Sequence, residues 1–281
     1  MTICVTSPKS AAEWNGALDT LPTAHVLQSW EWGALKSRHG WQPARYLWLE
    51  DDRPCAAASV LTRRLGRWPA RVMYVPKGPA LDYGNATLLE TVFAHLESAA
   101  RQERALFLKI DPDVVTDTAI GESVVRALSR RGWRPSAEQI QFRNTMLVDL
   151  SRSPDDLLAG MKSKWRYNIR LSGRRGVTVH RGDVTDLSLL YRLYAETAVR
   201  DGFVIRPETY YHDAWGSFIE GGLAQPLIAK VEGEAIAMVI IFRTAQRACT
   251  CTGRPATPTG KRCPITCSSG RRCAGPKNKA V

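Results

Sequence analysis

The chain lacks the features that mark membrane and secreted proteins. No apolar run approaches the roughly 18 residues that a transmembrane helix needs. The opening stretch MTICVTSPKSAAEWNG has no charged segment followed by an apolar one, so it does not resemble a secretory signal. Only Cys4 and Cys55 precede position 249, which argues against a disulfide framework and favours a reducing compartment. We therefore expect a cytoplasmic protein.

Acidic residues are missing from one part of the chain, residues 249–281. That segment holds five of the seven cysteines and seven of the 39 Lys and Arg residues. The net charge of +12 therefore falls to +5 for the preceding 248 residues, which contain all 27 acidic residues. A strongly basic balance would indicate a nucleic-acid partner, but the main part of this chain is only mildly basic.

The spacing within residues 249–281 does not fit a known binding site. Six residues separate Gly253 from Gly260, where a phosphate-binding loop needs four. The cysteines do not form the paired spacing of a zinc knuckle, so we expect no metal. One missing base in the Cys249 codon would instead let the degenerate codons read AWYMYG, followed by a turn and an amphipathic helix. We interpret residues 249–281 as an out-of-frame, disordered tail.

Helices and strands alternate along the first part of the chain, which predicts an α/β domain over residues 1–150. The predicted helices are 26–41, 85–104 and 122–133, and the predicted strands are 44–50, 54–65, 71–83, 105–112 and 144–150. Asn85 is the expected N-cap of its helix, and Gly132 the expected end of another. The apolar strand 105–112 is expected to be buried.

A second α/β unit begins near residue 151 and stops being legible near 248. A helix over 153–176, capped by Ser153, is followed by a strand at 177–182 and a helix at 185–202. A β-hairpin is predicted over 226–244. We therefore expect an incomplete second domain over residues 151–248.

A row of positive charges is the strongest chemical signal. Lys162, Arg166, Arg170 and Arg174 recur every four residues with no acid between them, and like charges at this spacing destabilise a helix. The row is either a solvated helix face or a contact surface for a phosphate-bearing ligand or an RNA backbone. Lys77, in the loop PKGP, is a weaker candidate: Gly78 would let backbone amides approach a ligand, but a turn is the commoner explanation of such a loop.

Four segments in order resemble a known family. QSWEWGALKSRHGW, YVPKGPALDY, MKSKWRYNIRLSGRRGVTV and LYAETAVRDGFVIRPETYY are similar to motifs of the FemA/FemB/FemX family of peptidoglycan-bridge aminoacyltransferases. The resemblance covers about residues 25–247. It implies an α/β fold of two GNAT-like domains that face each other across a groove, the second of them incomplete here.

The resemblance also implies an activity and its partners. The family moves an amino acid from aminoacyl-tRNA to the stem peptide of UDP-MurNAc-pentapeptide or lipid II, the latter at the inner face of the membrane. Lys36 and Arg166 match the positive positions that hold the precursor's diphosphate, and Arg170 matches a further contact. The family's catalytic lysine lies near the C-terminal end of its second domain, beyond the legible part of this chain. No catalytic residue is therefore assigned, the chain is expected to be inactive if it is truncated, and no cofactor is expected.

Two other functions fit the same sequence. The fold would also serve an acyl-CoA-dependent GNAT N-acyltransferase, although no glycine-rich pyrophosphate loop opens a helix after a central strand. A non-catalytic protein that binds RNA or the precursor is the third possibility. The identity of the acyl donor separates the two enzymes.

Overall fold

The computed structural model describes residues 3–66, 70–138, 140–141, 146–245 and 247–253, with only the backbone for 251–253. Within these ranges no helix is both long and apolar enough to cross a lipid bilayer. The first part of the chain contains β1 (Ile3–Thr6), α1 (Ala11–Asp19), α2 (Trp30–Arg38), β2 (Gln42–Glu50), β3 (Arg53–Arg64), β4 (Arg71–Val75), β5 (Ala80–Leu81), α3 (Ala86–Gln102), β6 (Ala105–Ile110) and α4 (Ala119–Arg130).

These elements build a six-stranded sheet in the order β1-β2-β3-β4-β6, with β5 also paired to β3. The polar turn between β2 and β3 forms as predicted, with Asp51 and Asp52 at positive φ. Helix α3 connects β4 to β6, which run parallel. Asn85 caps this helix by accepting a hydrogen bond from the Leu88 amide at 3.0 Å. Its apolar face, which includes Val92, is buried in the core beneath the sheet.

In this part of the chain, the burial expected for one strand and the presence of another were predicted wrongly. Strand β6 forms, but it lies at the edge of the sheet, and Leu106 and Phe107 are exposed by 66% and 55%. Residues 146–150 form no strand, and residues 142–145 lie outside the described residues. An apolar run indicates that a strand is possible, but burial also requires a covering neighbour that the run itself does not specify.

The second part of the chain contains α5 (Pro154–Gly160), α6 (Ser163–Arg174), β7 (Thr178–Arg181), α7 (Leu187–Asp201), α8 (Glu208–Glu220), β8 (Ala224–Val231), β9 (Glu234–Arg243) and β10 (Ala248–Gly253). Its strands form an antiparallel sheet in the order β10-β9-β8-β7. Helices α7 and α8 pack on this sheet through an apolar cluster that includes Leu193, Trp215 and Ile240.

Strand β10 carries the second sheet past the boundary predicted at 248. Cys249 pairs with Phe242 and Gly253 with Met238, so the segment predicted to be disordered contributes a strand at its start. Strand pairing uses backbone groups, which are the same for any side chain except proline. Residues 254–281 lie outside the described residues, and their out-of-frame origin stays a prediction that the nucleotide sequence at codon 249 tests.

The helix predicted over 153–176 is interrupted. Helix α5 ends at Gly160, Met161 and Lys162 adopt extended ψ angles of 151° and 146°, and α6 begins at Ser163. Ser153 caps α5 as predicted, since its hydroxyl accepts from the Asp156 amide at 3.1 Å. The even spacing of cations therefore runs across a break, and Lys162 precedes α6 instead of lying within it.

Helix α2 connects the two parts of the molecule. Although it precedes the first sheet's main strands, Leu35 is fully buried in the same apolar cluster as Trp215 and Phe218 of α8. A chain segment from the first unit thus completes the core of the second. The domain boundary at residue 150 stays a prediction.

Candidate functional site

The site is centred on Lys36 in the last turn of α2. Ser29 starts this helix, with its hydroxyl accepting from the Trp32 amide at 3.2 Å. Trp32 lies one turn before Lys36, and the Lys36 Nζ stands 4.3 Å from the centre of its ring. The ammonium also donates to the Tyr210 hydroxyl on α8 at 3.2 Å. Lys36 is thereby held between two aromatic side chains from opposite parts of the chain.

Arg206 is the second cation of the site. It precedes α8, and its guanidinium carbon lies 4.7 Å from the centre of the Tyr210 ring. Burial, together with the nearby charges of Arg206 and Arg63, lowers the pKa of Lys36 from 10.5 to about 8. Both arginines therefore disfavour the charged form of Lys36.

No carboxylate neutralises this cluster among the residues whose structure is described: Lys36, Arg63 and Arg206 form no salt bridge there. Arg63 and Arg206 are exposed, whereas Lys36 is half-buried. Like charges beside a half-buried ammonium are costly unless an anion relieves the repulsion. Guanidinium and ammonium groups together match the oxygens of a phosphate or diphosphate. The cluster can therefore bind a doubly charged ligand.

Other contacts fix the helices on which the cluster depends. Arg38 donates to the Asp213 carboxylate on α8 through Nε at 3.0 Å and to the Ser217 hydroxyl through Nη2 at 2.7 Å. His39 also contacts Asp213, at 3.1 Å, and its ring lies 4.8 Å from that of Tyr210. Helices α2 and α8 are thus tied together beside Lys36.

Lys77 lies in a different charge environment. Its Nζ is 3.5 Å from a carboxylate oxygen of Asp113, which also pairs with Arg247. The neighbouring His25 is buried, which lowers its pKa to about 4, although Asp113 opposes that shift. Lys77 therefore already has an acidic partner, and it adopts the positive φ of 49° that its turn requires.

The cations spaced along residues 162–174 do not all project from one continuous helix face in the structure. Arg166 turns back to donate to the carbonyls of Ala159 at 3.2 Å and of Met161. Arg170 and Arg174 line a surface depression of ≈ 700 Å³. Among the described residues, the hydrogen bonds of Arg166 go to carbonyls next to α6, whereas Lys36 contacts Trp32 and Tyr210.

Arg206 and Tyr210 were missed by sequence reasoning. Both lie within the segment VIRPETYY, which was read only as part of a family motif. Their spacing of four residues could have drawn attention to them, since residues at that distance in a helical region lie on one face. Only the contact between α2 and α8 places them beside Lys36.

The fold is known from a solved structure. FemX matches this chain with a TM-score of 0.74 and 27% identity, over 82% of this chain and 58% of the FemX chain. This confirms the predicted class, an α/β protein of GNAT-like architecture. Residues 10–235 match the model of the FemAB family. The chain belongs to the FemAB family, as the four segments indicated.

Curated relatives carry a more specific name. A lipid II:glycine glycyltransferase of Staphylococcus saprophyticus is 30% identical over 220 residues, which are 76% of this chain and 53% of that protein. The protein of the same name from Staphylococcus aureus is 28% identical over 75% of this chain and 51% of its own length. This chain therefore spans about half the length of the curated relatives it matches.

Proposed function

We propose that this protein is an aminoacyltransferase of peptidoglycan-bridge formation. It transfers an amino acid from aminoacyl-tRNA to the stem peptide of lipid II or of its soluble counterpart, UDP-MurNAc-pentapeptide. The reaction takes place in the cytoplasm, at the inner face of the membrane when lipid II is the acceptor. The observation that carries the proposal is the uncompensated cluster of Lys36, Arg63 and Arg206, because both acceptors contain a diphosphate.

The cluster would act by positioning. Lys36 and Arg206 hold the diphosphate, and the stem-peptide amine is then presented to the aminoacyl ester. The amine forms an amide bond with the ester carbonyl, the ester C–O bond breaks, and the proton lost by the amine goes to the ribose hydroxyl that leaves. Holding both reactants in place accounts for much of the barrier reduction in reactions of this type.

Arg206 takes the role that the sequence gave to Arg166. Its guanidinium is close enough to lower the pKa of Lys36 and contacts the ring of Tyr210, to which Lys36 donates. Arg166 is engaged with the carbonyls at the end of α5. Lys77 and Lys162 stay secondary candidates for the diphosphate, Lys77 because Asp113 already balances its charge.

Binding of the acceptor tests the cluster. Lys36→Glu and Arg206→Glu should each weaken binding of UDP-MurNAc-pentapeptide by at least about tenfold, since one lost charge-assisted contact costs about 1.5–3 kcal/mol. Arg134→Glu, which reverses an exposed charge on the first part of the chain, is the matched control. If isothermal titration calorimetry gives the same affinity for the wild type and all three variants, the cluster is not part of the acceptor site.

The donor requires a separate assay. Labelled aminoacyl-tRNA and the acceptor are incubated with the protein, with and without acetyl-CoA. Label should pass to the stem peptide at a rate that acetyl-CoA leaves unchanged. Transfer only from acyl-CoA would instead establish a CoA-dependent acyltransferase, and acceptor binding without any transfer would establish a binding protein.

A further inference from the structure

Helix α6 presents a face of arginines that makes none of the contacts described around Lys36. None of its residues is buried, and it contains no acidic residue. The depression of ≈ 700 Å³ runs along this face. Its lining residues are Ser163, Arg166, Tyr167, Arg170, Gly173 and Arg174.

The arginines follow one line along the helix. A rise of about 1.5 Å per residue places successive members of a four-residue series about 6 Å apart. Arg166 is held by the carbonyls of Ala159 and Met161. Arg170 and Arg174, by contrast, form no side-chain hydrogen bond or salt bridge within the described part of the chain. Two free guanidinium groups thus stand in line with a third, an arrangement that suits successive phosphates of a nucleic-acid strand.

An aromatic ring lies on the same face. Tyr167 is 55% exposed and forms part of the wall of the depression beside the arginines. Exposed rings within a basic groove are the means by which proteins stack the bases of single strands. A cationic groove with one such ring fits RNA better than it fits an isolated phosphate.

The face does not have the form of a membrane-binding helix. Such helices carry a continuous apolar stripe flanked by cations. On α6, Trp165 lies about 140° around the helix from Arg170, and Trp165 and Leu171 are both half-buried. Ile169 is 45% exposed but does not line the depression, whose lining side chains are cationic, aromatic or small.

We propose that the Arg170 and Arg174 face of α6 binds the phosphate backbone of RNA while Tyr167 stacks on a base. This face would bind the RNA part of the proposed aminoacyl-tRNA donor. Only that assignment of the RNA rests on the proposed function. RNA binding is measured without transfer, so the two proposals fail independently.

The first test uses the full chain and a short fluorescein-labelled single-stranded RNA, followed by fluorescence anisotropy. The double variant Arg170→Glu/Arg174→Glu should bind at least about 100-fold more weakly, because two charge-assisted contacts are lost. The slope of log affinity against log salt should become shallower by about 1–2. Arg53→Glu/Arg134→Glu makes the same change in net charge at two exposed arginines away from α6 and should bind as the wild type does.

Arg170→Gln/Arg174→Gln provides a second variant if the charge reversal disturbs folding. It removes both charges without introducing repulsion, and its affinity should fall between those of the wild type and the Glu variant. Equal RNA affinity for the wild type and a folded double variant, as judged by circular dichroism, would overturn the proposal. Binding to anionic phosphatidylglycerol vesicles with no binding to RNA would also overturn it, in favour of a membrane surface.

The second test separates stacking from charge. Tyr167→Phe keeps the ring and should retain the affinity, whereas Tyr167→Ala should reduce it about 5-fold or more, as expected for the loss of one base–aromatic stack. The salt dependence should be the same in both variants, since no charge changes. Equal affinity for the Phe and Ala variants would show that the ring makes no contact with a base.

Discussion

At the scale of single residues, the environment of Lys36 decides its chemistry. The side chain is half-buried between Trp32 and Tyr210, and two arginines stand close by. Burial and like charges both favour the neutral amine, so its pKa falls from 10.5 to about 8. A bound diphosphate would favour the charged ammonium instead. The same position is thus costly without a ligand and favourable with one.

This predicts that acceptor binding depends on pH through Lys36. As pH rises from about 7 through the pKa of about 8, the ammonium loses its proton and the affinity for UDP-MurNAc-pentapeptide should fall. Lys36→Arg keeps its charge over that range and should show a much flatter profile. Calorimetry of both proteins across the range measures the difference, and parallel profiles would assign the titration to another group.

The same pKa determines a trend in stability. The folded protein releases the Lys36 proton near pH 8, whereas the unfolded chain keeps it until about 10.5. Between those values the unfolded state binds more protons, so the contribution of Lys36 to the free energy of unfolding rises with pH. Below about pH 8 both states are charged, and the full cost of burying the ammonium is present.

At the scale of elements, two helical glycines have opposite surroundings. Gly16 lies within α1, and a Cβ added there would meet nothing within 4 Å. Gly121 lies in the first turn of α4, where an added Cβ would come within 2.1 Å of the Val115 carbonyl oxygen and 2.7 Å of the Thr116 Cα. Backbone atoms cannot move aside as a side chain can. Of these two glycines, Gly121 is therefore the one that packing requires.

We predict opposite effects of the same substitution at these two sites. Gly16→Ala should stabilise the protein by up to about 1 kcal/mol, because alanine is the better helix former. Gly121→Ala should destabilise it by about 1–3 kcal/mol, the usual cost of forcing extra atoms into a packed place. Urea denaturation of the two variants and the wild type tests both signs. Similar stabilities for the two variants would contradict the close approach of α4 to the 115–116 segment.

At the scale of the whole molecule, the contact between α2 and α8 joins the two parts of the chain. Leu35 packs in the apolar core of this contact. Arg38 donates hydrogen bonds to Asp213 and Ser217 at its surface. The hydrogen bond from Arg38 lowers the pKa of the Asp213 carboxyl below its usual range, and His39 acts in the same direction. The candidate site lies on this contact, so its geometry depends on it.

Loss of the Asp213 charge should therefore weaken the molecule in a pH-dependent way. The carboxyl's folded pKa lies below its ordinary 3.8, so its stabilising contribution is present above that pH and disappears as pH falls through the folded value. Asp213→Asn should cost about 1 kcal/mol at pH 7, as for other partly exposed pairs, and little in strong acid. Denaturant unfolding at pH 7 and in strong acid measures the free energy of unfolding of this variant and the wild type, with Glu234→Gln as an exposed control. A cost that stays the same in acid would rule out the ion pair as its source.

The sequence by itself determined the local elements and the family. Helical periodicity and caps such as Asn85 and Ser153 act within a few residues, so they can be read from the chain. The polar turn at Asp51 and Asp52 is equally local, and the four family segments lie in order along the chain. Lys36 could be named from one of those segments.

Only the tertiary structure decided which residues surround Lys36. Arg206 and Tyr210 are about 170 positions further along the chain, and no local pattern records that α2 packs against α8. The exposure of β6 depends on which elements cover it, and the break before Ser163 depends on the backbone conformation of the preceding residues. A pattern of residue types specifies neither. Electrostatic interaction and burial depend on distance in space, so the cluster of cations exists only in the folded chain.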